Sequence, residues 1–364
     1  MYDYLIIGSG FFGSVCAREL TNRGYDCLII EKRSHIGGNC FTEDVDGINI
    51  HKYGPHIFHT SNAVVWNYVS RFTTFNNFIH RPKVSYKDKI YSFPINLSTL
   101  YQVLGTKTPT DARKLITSLK VNSNDLSNSE DYILSEIGHE LYNIFIRGYT
   151  IKQWGISPKQ LPSSIIKRLP IRYTFDDNYF SDLYQGIPIG GYTGMFKNML
   201  DGIEIKLGID YFSDRLYWDT VSKYIIYTGP IDKFYDYKFG KLDYRSLRFE
   251  HEKLDIDDYQ GTAVMNYTDE KIPFTRITEH KHFEFGTQSN TIITKEYPCN
   301  NEAEPYYPIN DFKNNDIYKK YKELSLLDSN VIFGGRLAEY RYYDMHQVIA
   351  SALDMVDKLS YNRD

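Results

Sequence analysis

The feature that most constrains this chain is the run Gly8-Ser9-Gly10-Phe11-Phe12-Gly13, a G-x-G-x-x-G placed where a short apolar strand must give way to a helix. Leu5 to Ile7 reads as that strand, Ser14 to Arg23 as the helix, Gly24 as its stop and Cys27 to Ile30 as a second strand. Strand, glycine turn, helix and strand form the unit that binds dinucleotides. Its glycines let backbone close on a pyrophosphate, whose charge then sits at the positive end of the helix. Glu31 closes the second strand about twenty residues past the glycines, where a carboxylate holds a ribose hydroxyl.

The fingerprint runs on. Arg33, Gly37-Gly38 and Asn39 extend it beyond the point where a simple nicotinamide site ends, and a second glycine pair implies another close backbone approach to a long cofactor. This E-x-R-x-x-x-G-G-N tail resembles the FAD site of the glutathione-reductase-like flavoproteins.

At 364 residues the chain is long enough for two or three domains with sizeable cores. A net charge of -4 offers no basic field for nucleic acid or an anionic membrane. No apolar run reaches transmembrane length and the N-terminus enters a strand directly, so a soluble, cytoplasmic protein is expected. Cys16, Cys27, Cys40 and Cys299 form no C-x-x-C pair, and Cys16 and Cys27 fall where buried thiols are expected. The 33 tyrosines exceed what packing asks for; phenols suit a cavity whose ligand is flat in one part and rich in hydroxyls in another.

Further along, Ile48 to Ile50 reads as a strand and Val64 to Arg71 as a helix, and His56 and His59 lie in the loop HKYGPHIFHTSN between them. They lack a third metal ligand at a recognisable spacing, so no metal is expected and a place in a cofactor pocket is. Val84 to Phe93 alternates around a Lys87-Asp88 turn, and Asn96 to Leu104 is a helix stopped by Gly105. Thr108-Pro109-Thr110-Asp111 opens another helix, and residues 121–130 are a loop. Ile133, Ile137, Leu141 and Phe145 then mark a buried helical stripe. From Gly148 to Gly191 the chain is aromatic, basic and proline-punctuated with little periodicity, which reads as an irregular substrate-binding wall. Ile203 to Tyr211, Lys223 to Tyr227 and Val331 to Phe333 read as strands returning to the nucleotide-binding sheet. Residues 239–299 alternate like a second, antiparallel sheet, and Met345 to Leu359 is the closing helix.

No facing pair of carboxylates stands out. Asp176 and Asp177 are adjacent and read as a solvated or capping pair. Arg168, Arg172, Arg276, Arg336 and Arg341 stand instead among many tyrosines. Guanidinium groups fork onto phosphate, aromatic faces stack on a base and phenols meet sugar hydroxyls, so the cluster suits a nucleoside diphosphate sugar.

The segments YGPHIFHT, GYTIKQWG, IIKRLPIR, DDNYFSDLYQGIP, GGYT, RITEHKHF, EPYYP and GGRLAEYRYYDMHQVI, in order along nearly the whole chain, resemble the bacterial UDP-galactopyranose mutase family. The resemblance implies an α/β fold: a Rossmann-like FAD-binding domain from both chain ends (1–80, 190–235, 315–364), a helical domain (100–189) with a mobile lid near 165–175, and an antiparallel sheet domain (81–99, 236–314). It implies a homodimeric isomerase that interconverts UDP-galactopyranose and UDP-galactofuranose through attack of reduced flavin N5 on the anomeric carbon, feeding cell-surface polysaccharide. Arg168 and Arg276 then resemble the diphosphate clamp, and His59 the sugar-side histidine. Tyr149, Thr150, Trp154, Tyr179, Asn266, Tyr307 and Tyr342 resemble the remaining substrate contacts. Gly8, Gly10, Phe12, Gly13, Glu31, Lys32, Gly38, Asn39, His56, Arg336, Tyr342, Asp344 and Met345 correspond to FAD contacts. His80 stands where relatives have asparagine, and Phe145-Ile146 replaces a phenylalanine pair of some members. The alternatives are a mutase acting on UDP-N-acetylgalactosamine and an FAD-dependent oxidoreductase.

Overall fold

A computed structural model describes residues 1–167, 169–299 and 304–361. Strand Tyr2–Ile7 is the middle of a five-stranded parallel sheet, ordered Val331–Phe333, Ser222–Tyr227, Tyr2–Ile7, Cys27–Glu31, Glu204–Leu207. The strands come from both ends of the chain and from its middle, the Rossmann-like α/β arrangement expected. Both faces are covered, as a parallel sheet requires. Tyr4 and Ile6 meet Val15 and Leu20 of helix Phe11–Asn22 and Ile349, Ala352 and Val356 of helix Met345–Tyr361. Leu5, Leu28, Ile30 and Ile225 point the other way, onto Tyr211, Trp218 and Phe234. Each fully buried Leu or Ile here contributes about 2 kcal/mol over an exposed one.

This sheet belongs to the first of two compact units, Met1–Asn77, Asp182–Arg245 and Glu302–Asp364; the second is Phe78–Ser181 with Ser246–Asn301. The second unit holds a largely antiparallel sheet ordered Tyr244–Leu254, Thr291–Cys299, Arg276–Glu279, Val264–Tyr267, Lys83–Tyr86, Lys89–Ser92. Most of the helical (100–189) and antiparallel (81–99, 236–314) segments, expected as separate domains, falls in this one unit, while 182–189, 236–245 and 304–314 belong to the first. The reason is a shared core: Val84, Tyr91 and Phe93 of the sheet pack with Leu100, Ile116, Ile133, Ile137, Leu141 and Phe145 of the helices.

Local signals set the helices of the second unit. Asn96 accepts from Ser98 and Thr99 backbone N–H groups, Thr99 returns a bond to the Asn96 backbone, and left-handed Gly105 ends helix Leu97–Leu104. Thr108 caps Pro109–Leu119 and Asn128 caps Ser129–Tyr142. Lys87 and Asp88, both at positive φ, make the tight turn between strands Lys83–Tyr86 and Lys89–Ser92. Among the helices not expected from the sequence are Gly191–Met199 and Phe312–Ser325. No helix among the described residues is long and apolar enough to cross a membrane. Cys16, Cys27 and Cys40 are buried and unbridged, and burial pushes the Cys27 thiol up to about 11, so these thiols are poor nucleophiles.

One ion pair of the second unit predicts a pH dependence. Glu279 accepts from Tyr259 N (2.9 Å), Gln260 N (2.9 Å) and Thr291 Oγ1 (2.7 Å), and His282 Nε2 lies 3.3 Å away. Burial alone would raise the Glu279 carboxyl, but bonds from His282, Thr291 and the two N–H groups hold it down to about 2. His282 is raised from 6.5, first by its bond to Glu279. The histidine therefore stabilises the fold fully below pH 6.5, and this contribution is lost as pH rises through its raised pKa. The glutamate's contribution is present above 4.5 and is lost as pH falls toward about 2. His282→Gln should lower urea-unfolding stability near pH 5.5 and leave it nearly unchanged near pH 8.5. Equal losses at both pH values would remove the ion pair from the account.

Candidate functional site

In the first unit the glycine turn makes a cradle. Gly8 has φ +106°, a conformation L side chains rarely adopt, and its N–H donates to Ile30 O at 2.9 Å. A Cβ on Gly13 would lie 2.0 Å from Gly8 O, so glycine there is what lets the helix start against the strand; a Cβ on Gly10 meets nothing within 4 Å. The cradle is thus tight on its protein side and open where a ligand approaches. Gly37 donates to Ser9 O at 3.0 Å, and Gly38 lies against the Gly10 backbone.

Glu31 is buried at the strand end and accepts three hydrogen bonds, from Ser9 N (2.9 Å), Ser9 Oγ (2.8 Å) and Arg33 N (3.0 Å). An ionised carboxylate has about four acceptor positions, so one remains for a hydroxyl. Arg33 bonds Asn39 Oδ1 at 3.0 Å and pairs with Glu304, lying 4.2 Å over the Tyr53 ring. Lys32, expected at the cofactor, pairs with the same Glu304 at 2.8 Å. Phe12 turns its ring toward Gly334 and Gly335, where a Cβ would collide with it, so what it can offer a ligand is its backbone N–H at the helix start.

The C-terminal segment GGRLAEYRYYDM adds an aromatic wall. Tyr307 and Tyr342 stack with centroids 5.4 Å apart, and the Arg336 guanidinium lies 5.6 and 5.8 Å from the two rings while donating to Tyr343 O at 2.6 Å. Asp344 precedes helix Met345–Tyr361, and Met345 contacts Cys40 through sulfur at 3.6 Å. His56 lies near Tyr192, its Nδ1 2.8 Å from Gly54 O. His59 Nδ1 is 2.7 Å from Asp182 Oδ2, and its ring stands edge-on to His346 at 5.2 Å. His59 does not group with His56: donor atoms of His59, Asp344 and His346 lie within 4.8 Å of one another, the latter two from the far end of the chain.

In the second unit, three side chains line up across adjacent strands. Asn266 stands opposite Arg276 on one side and Glu296 opposite it on the other, so all three share a face. Arg276 Nη2 donates to Tyr149 Oη at 2.5 Å, and its Nε lies 3.4 Å from the buried Glu296 carboxylate. Burial raises the Tyr149 hydroxyl above its usual range. Tyr149 and the buried Thr150 sit on helix Gly148–Trp154, with half-buried Trp154 at its end. Lys152, between them, reaches the carbonyls of Tyr267, Asp269, Ile272 and Phe274 at 2.7 to 3.0 Å. It thereby ties this helix to the loop joining the strands of Asn266 and Arg276, and burial lowers its ammonium to about 8.

Tyr179 donates its backbone N–H to His80 O at 2.8 Å and packs among His80, Phe93 and Phe180. Asp176 accepts from Asn178 N, a local role of the kind expected of that acidic pair, but Asp177 instead pairs with Arg81 and Lys83, far away in sequence. Arg168 lies outside the described residues. Glu296, Lys152 and Asp182 escaped the sequence reading. Only cross-strand register, long loop contacts or a partner 123 residues away give them meaning.

Known proteins resemble this chain over nearly its whole length. The family described as UDP-galactopyranose mutase matches residues 144–342, and an NAD(P)-binding Rossmann-like domain matches residues 6–72. A dTDP-fucopyranose mutase of Escherichia coli is 44% identical, covering 97% of this chain and 97% of its own. A probable UDP-galactopyranose mutase of Klebsiella pneumoniae is 42% identical over 98% of this chain and 94% of its own, and a UDP-galactopyranose mutase of Mycoplasma genitalium 34% identical over 98% and 95%. A crystal structure of reduced UDP-galactopyranose mutase shares the fold with a TM-score of 0.73 at 16% identity, covering 100% of this chain and 96% of that one.

Proposed function

Because the chain belongs to the UDP-galactopyranose mutase family of isomerases, we propose that it interconverts UDP-galactopyranose and UDP-galactofuranose on reduced FAD, with no net oxidation of the sugar. The observation that carries this reading is the family match over residues 144–342, the stretch that contains Tyr149, Asn266, Arg276, Glu296, Tyr307 and Tyr342.

The cradle fits an FAD. Backbone at Gly8, Gly10, Phe12 and Gly13 meets the pyrophosphate, the remaining acceptor position of Glu31 takes a ribose hydroxyl, and Lys32, Gly38 and Asn39 flank it. His56, Arg336, Tyr342, Asp344 and Met345 hold the flavin half. When bound there, reduced flavin would supply a nucleophile toward the anomeric carbon, so that the ring could change size without net oxidation of the sugar. The protein's own task is positioning and charge. Arg276 and Arg168 neutralise the diphosphate, Tyr307 and Tyr342 donate to it and to the sugar, and Asn266 reaches the ligand. Tyr149, Thr150, Trp154 and Tyr179 hold the uridine, and His59 faces the sugar. Diphosphate leaves well once neutralised, so the absence of a free carboxylate pair among Asp176 and Asp177 costs nothing. Residues 165–175 form a lid, and the enzyme works in the cytoplasm as a homodimer, supplying galactofuranose for cell-surface polysaccharide.

The E. coli relative favours a second reading, in which the substrate is a dTDP-linked 6-deoxy sugar. Chromatography of purified protein with dithionite and either UDP-galactofuranose or dTDP-fucofuranose separates the two. Pyranose product from the first supports the main reading, and product only from the second moves the substrate. An oxidised sugar from either would overturn the mutase. Gly13→Ala, whose Cβ would lie 2.0 Å from Gly8 O, should yield folded protein that retains little flavin after gel filtration; full flavin content would contradict the cradle.

A further inference from the structure

The pair formed by His59 and Asp182 is built more completely than a chance surface contact. His59 lies in strand Phe58–Thr60, which pairs antiparallel with Tyr184–Gly186, and its side chain is only 11% exposed. Asp182 enters that second strand and is held at both carboxylate oxygens: Oδ2 lies 2.7 Å from His59 Nδ1, and Oδ1 accepts from Ser61 Oγ at 2.9 Å. Ser61 Oγ in turn accepts from Leu183 N at 3.2 Å, locking the serine to the backbone beside the aspartate. The His59 and His346 rings meet in a T-shaped contact, and His346 lies on the helix that follows Asp344.

We propose that Asp182 is a positioning residue acting through His59: it accepts the Nδ1 proton, so that the neutral imidazole carries its lone pair on Nε2 and its ring plane is set. An ionised carboxylate can only accept, so the hydrogen of this 2.7 Å contact comes from His59 Nδ1. Consistent with an ionised partner, the bonds from His59 and Ser61 outweigh burial and hold the Asp182 carboxyl below its usual range. Burial and the neighbouring His59 lower His346, which disfavours a second positive charge beside the carboxylate. A ring fixed in this way offers an acceptor of defined direction to a ligand hydroxyl. Without Asp182 the ring loses the constraint that this carboxylate places on its tautomer and plane, and a displacement of about 1 Å at a reacting centre costs on the order of 10²-fold in rate. Ser61 serves the same end one step further out, so its loss should matter less than that of Asp182.

The tautomer assignment stands on the geometry alone; its effect on turnover rests on the mutase reading. The experiment is nitrogen-15 NMR of histidine-labelled, flavin-loaded protein, with His59→Gln identifying the signal, together with kinetics of the sugar interconversion. Wild type should show Nδ1 protonated and Nε2 unprotonated. Asp182→Ala should mix the tautomers and lower kcat by about 10²-fold with KM and flavin content little changed. Asp182→Asn, which still offers an amide oxygen to Nδ1 and an amide N–H to Ser61, should keep the tautomer and recover most of kcat. A wild-type ring protonated on Nε2 would overturn the proposal, as would Asp182→Ala that mixes the tautomers and turns over at the wild-type rate. A wild type that converts no nucleotide sugar would instead sink the functional reading and leave the NMR result standing.

Discussion

Replacing Arg276 by alanine should lower kcat/KM for the nucleotide sugar by about 10³-fold, the loss seen when one preorganised donor to a developing charge is removed. The guanidinium is held on both sides, by Tyr149 Oη and by the buried Glu296 carboxylate, so its direction is set before a ligand arrives. Lysine at this position should rescue little, because a point charge cannot fork onto two phosphate oxygens while meeting Glu296 as well. Alanine also leaves Glu296 without its counter-charge, which should cost on the order of 2 kcal/mol of stability, so turnover must be compared at a temperature where both proteins are folded. Flavin content should stay at the wild-type level, since Arg276 lies on the antiparallel sheet and the cradle is built from the parallel one. A kcat/KM within tenfold of wild type would remove Arg276 from the diphosphate.

Lys152→Met should lose about 3 kcal/mol in urea unfolding, an unusually large effect for a half-buried lysine. One ammonium serves the carbonyls of Tyr267, Asp269, Ile272 and Phe274, and methionine matches its stem without any donor. Turnover should fall beyond what lost stability explains, because the loop that loosens carries Asn266 at one end and Arg276 at the other. Arginine in its place should be intermediate, a larger donor in a space shaped for three N–H bonds. A methionine variant as stable as wild type would mean that the loop holds itself.

How much of this was legible in sequence depends on how local each cause is. The glycine fingerprint could be read because Gly8, Gly10 and Gly13 act on one another within six residues; the clash that bars a side chain at Gly13 is with Gly8 itself. The helix start at Thr108 was legible for the same reason, whereas Asn96, read as a helix's first residue, is its cap, and Asn128, read within a loop over 121–130, caps the helix that begins at Ser129. Helix Gly148–Trp154 escaped because the chain reaches it through a wide turn at Asn143–Arg147, which inserts an extra residue and shifts the apolar repeat out of phase. Past that helix the described residues keep the irregular course read from the sequence, with short turns at Pro158–Gln160 and Ser163–Ile165 before strand Tyr184–Gly186. Two domains were expected where one core forms because Val84 and Phe93 look like a self-contained hairpin until Leu100 and Phe145 are packed on it. Glu296 reads as one more polar residue in an alternating strand. It becomes part of a site only when the register sets it opposite Arg276.

The most direct measurement follows the flavin and the sugar together. Protein reduced with dithionite and freed of excess reductant is mixed anaerobically with UDP-galactofuranose, while the flavin's long-wavelength absorbance and the nucleotide-sugar composition are recorded. The account predicts many turnovers to the pyranose per flavin, with the absorbance still bleached at the end and no conversion by the oxidised protein. Return of the oxidised flavin spectrum in step with product, or equal conversion without reductant, would contradict it.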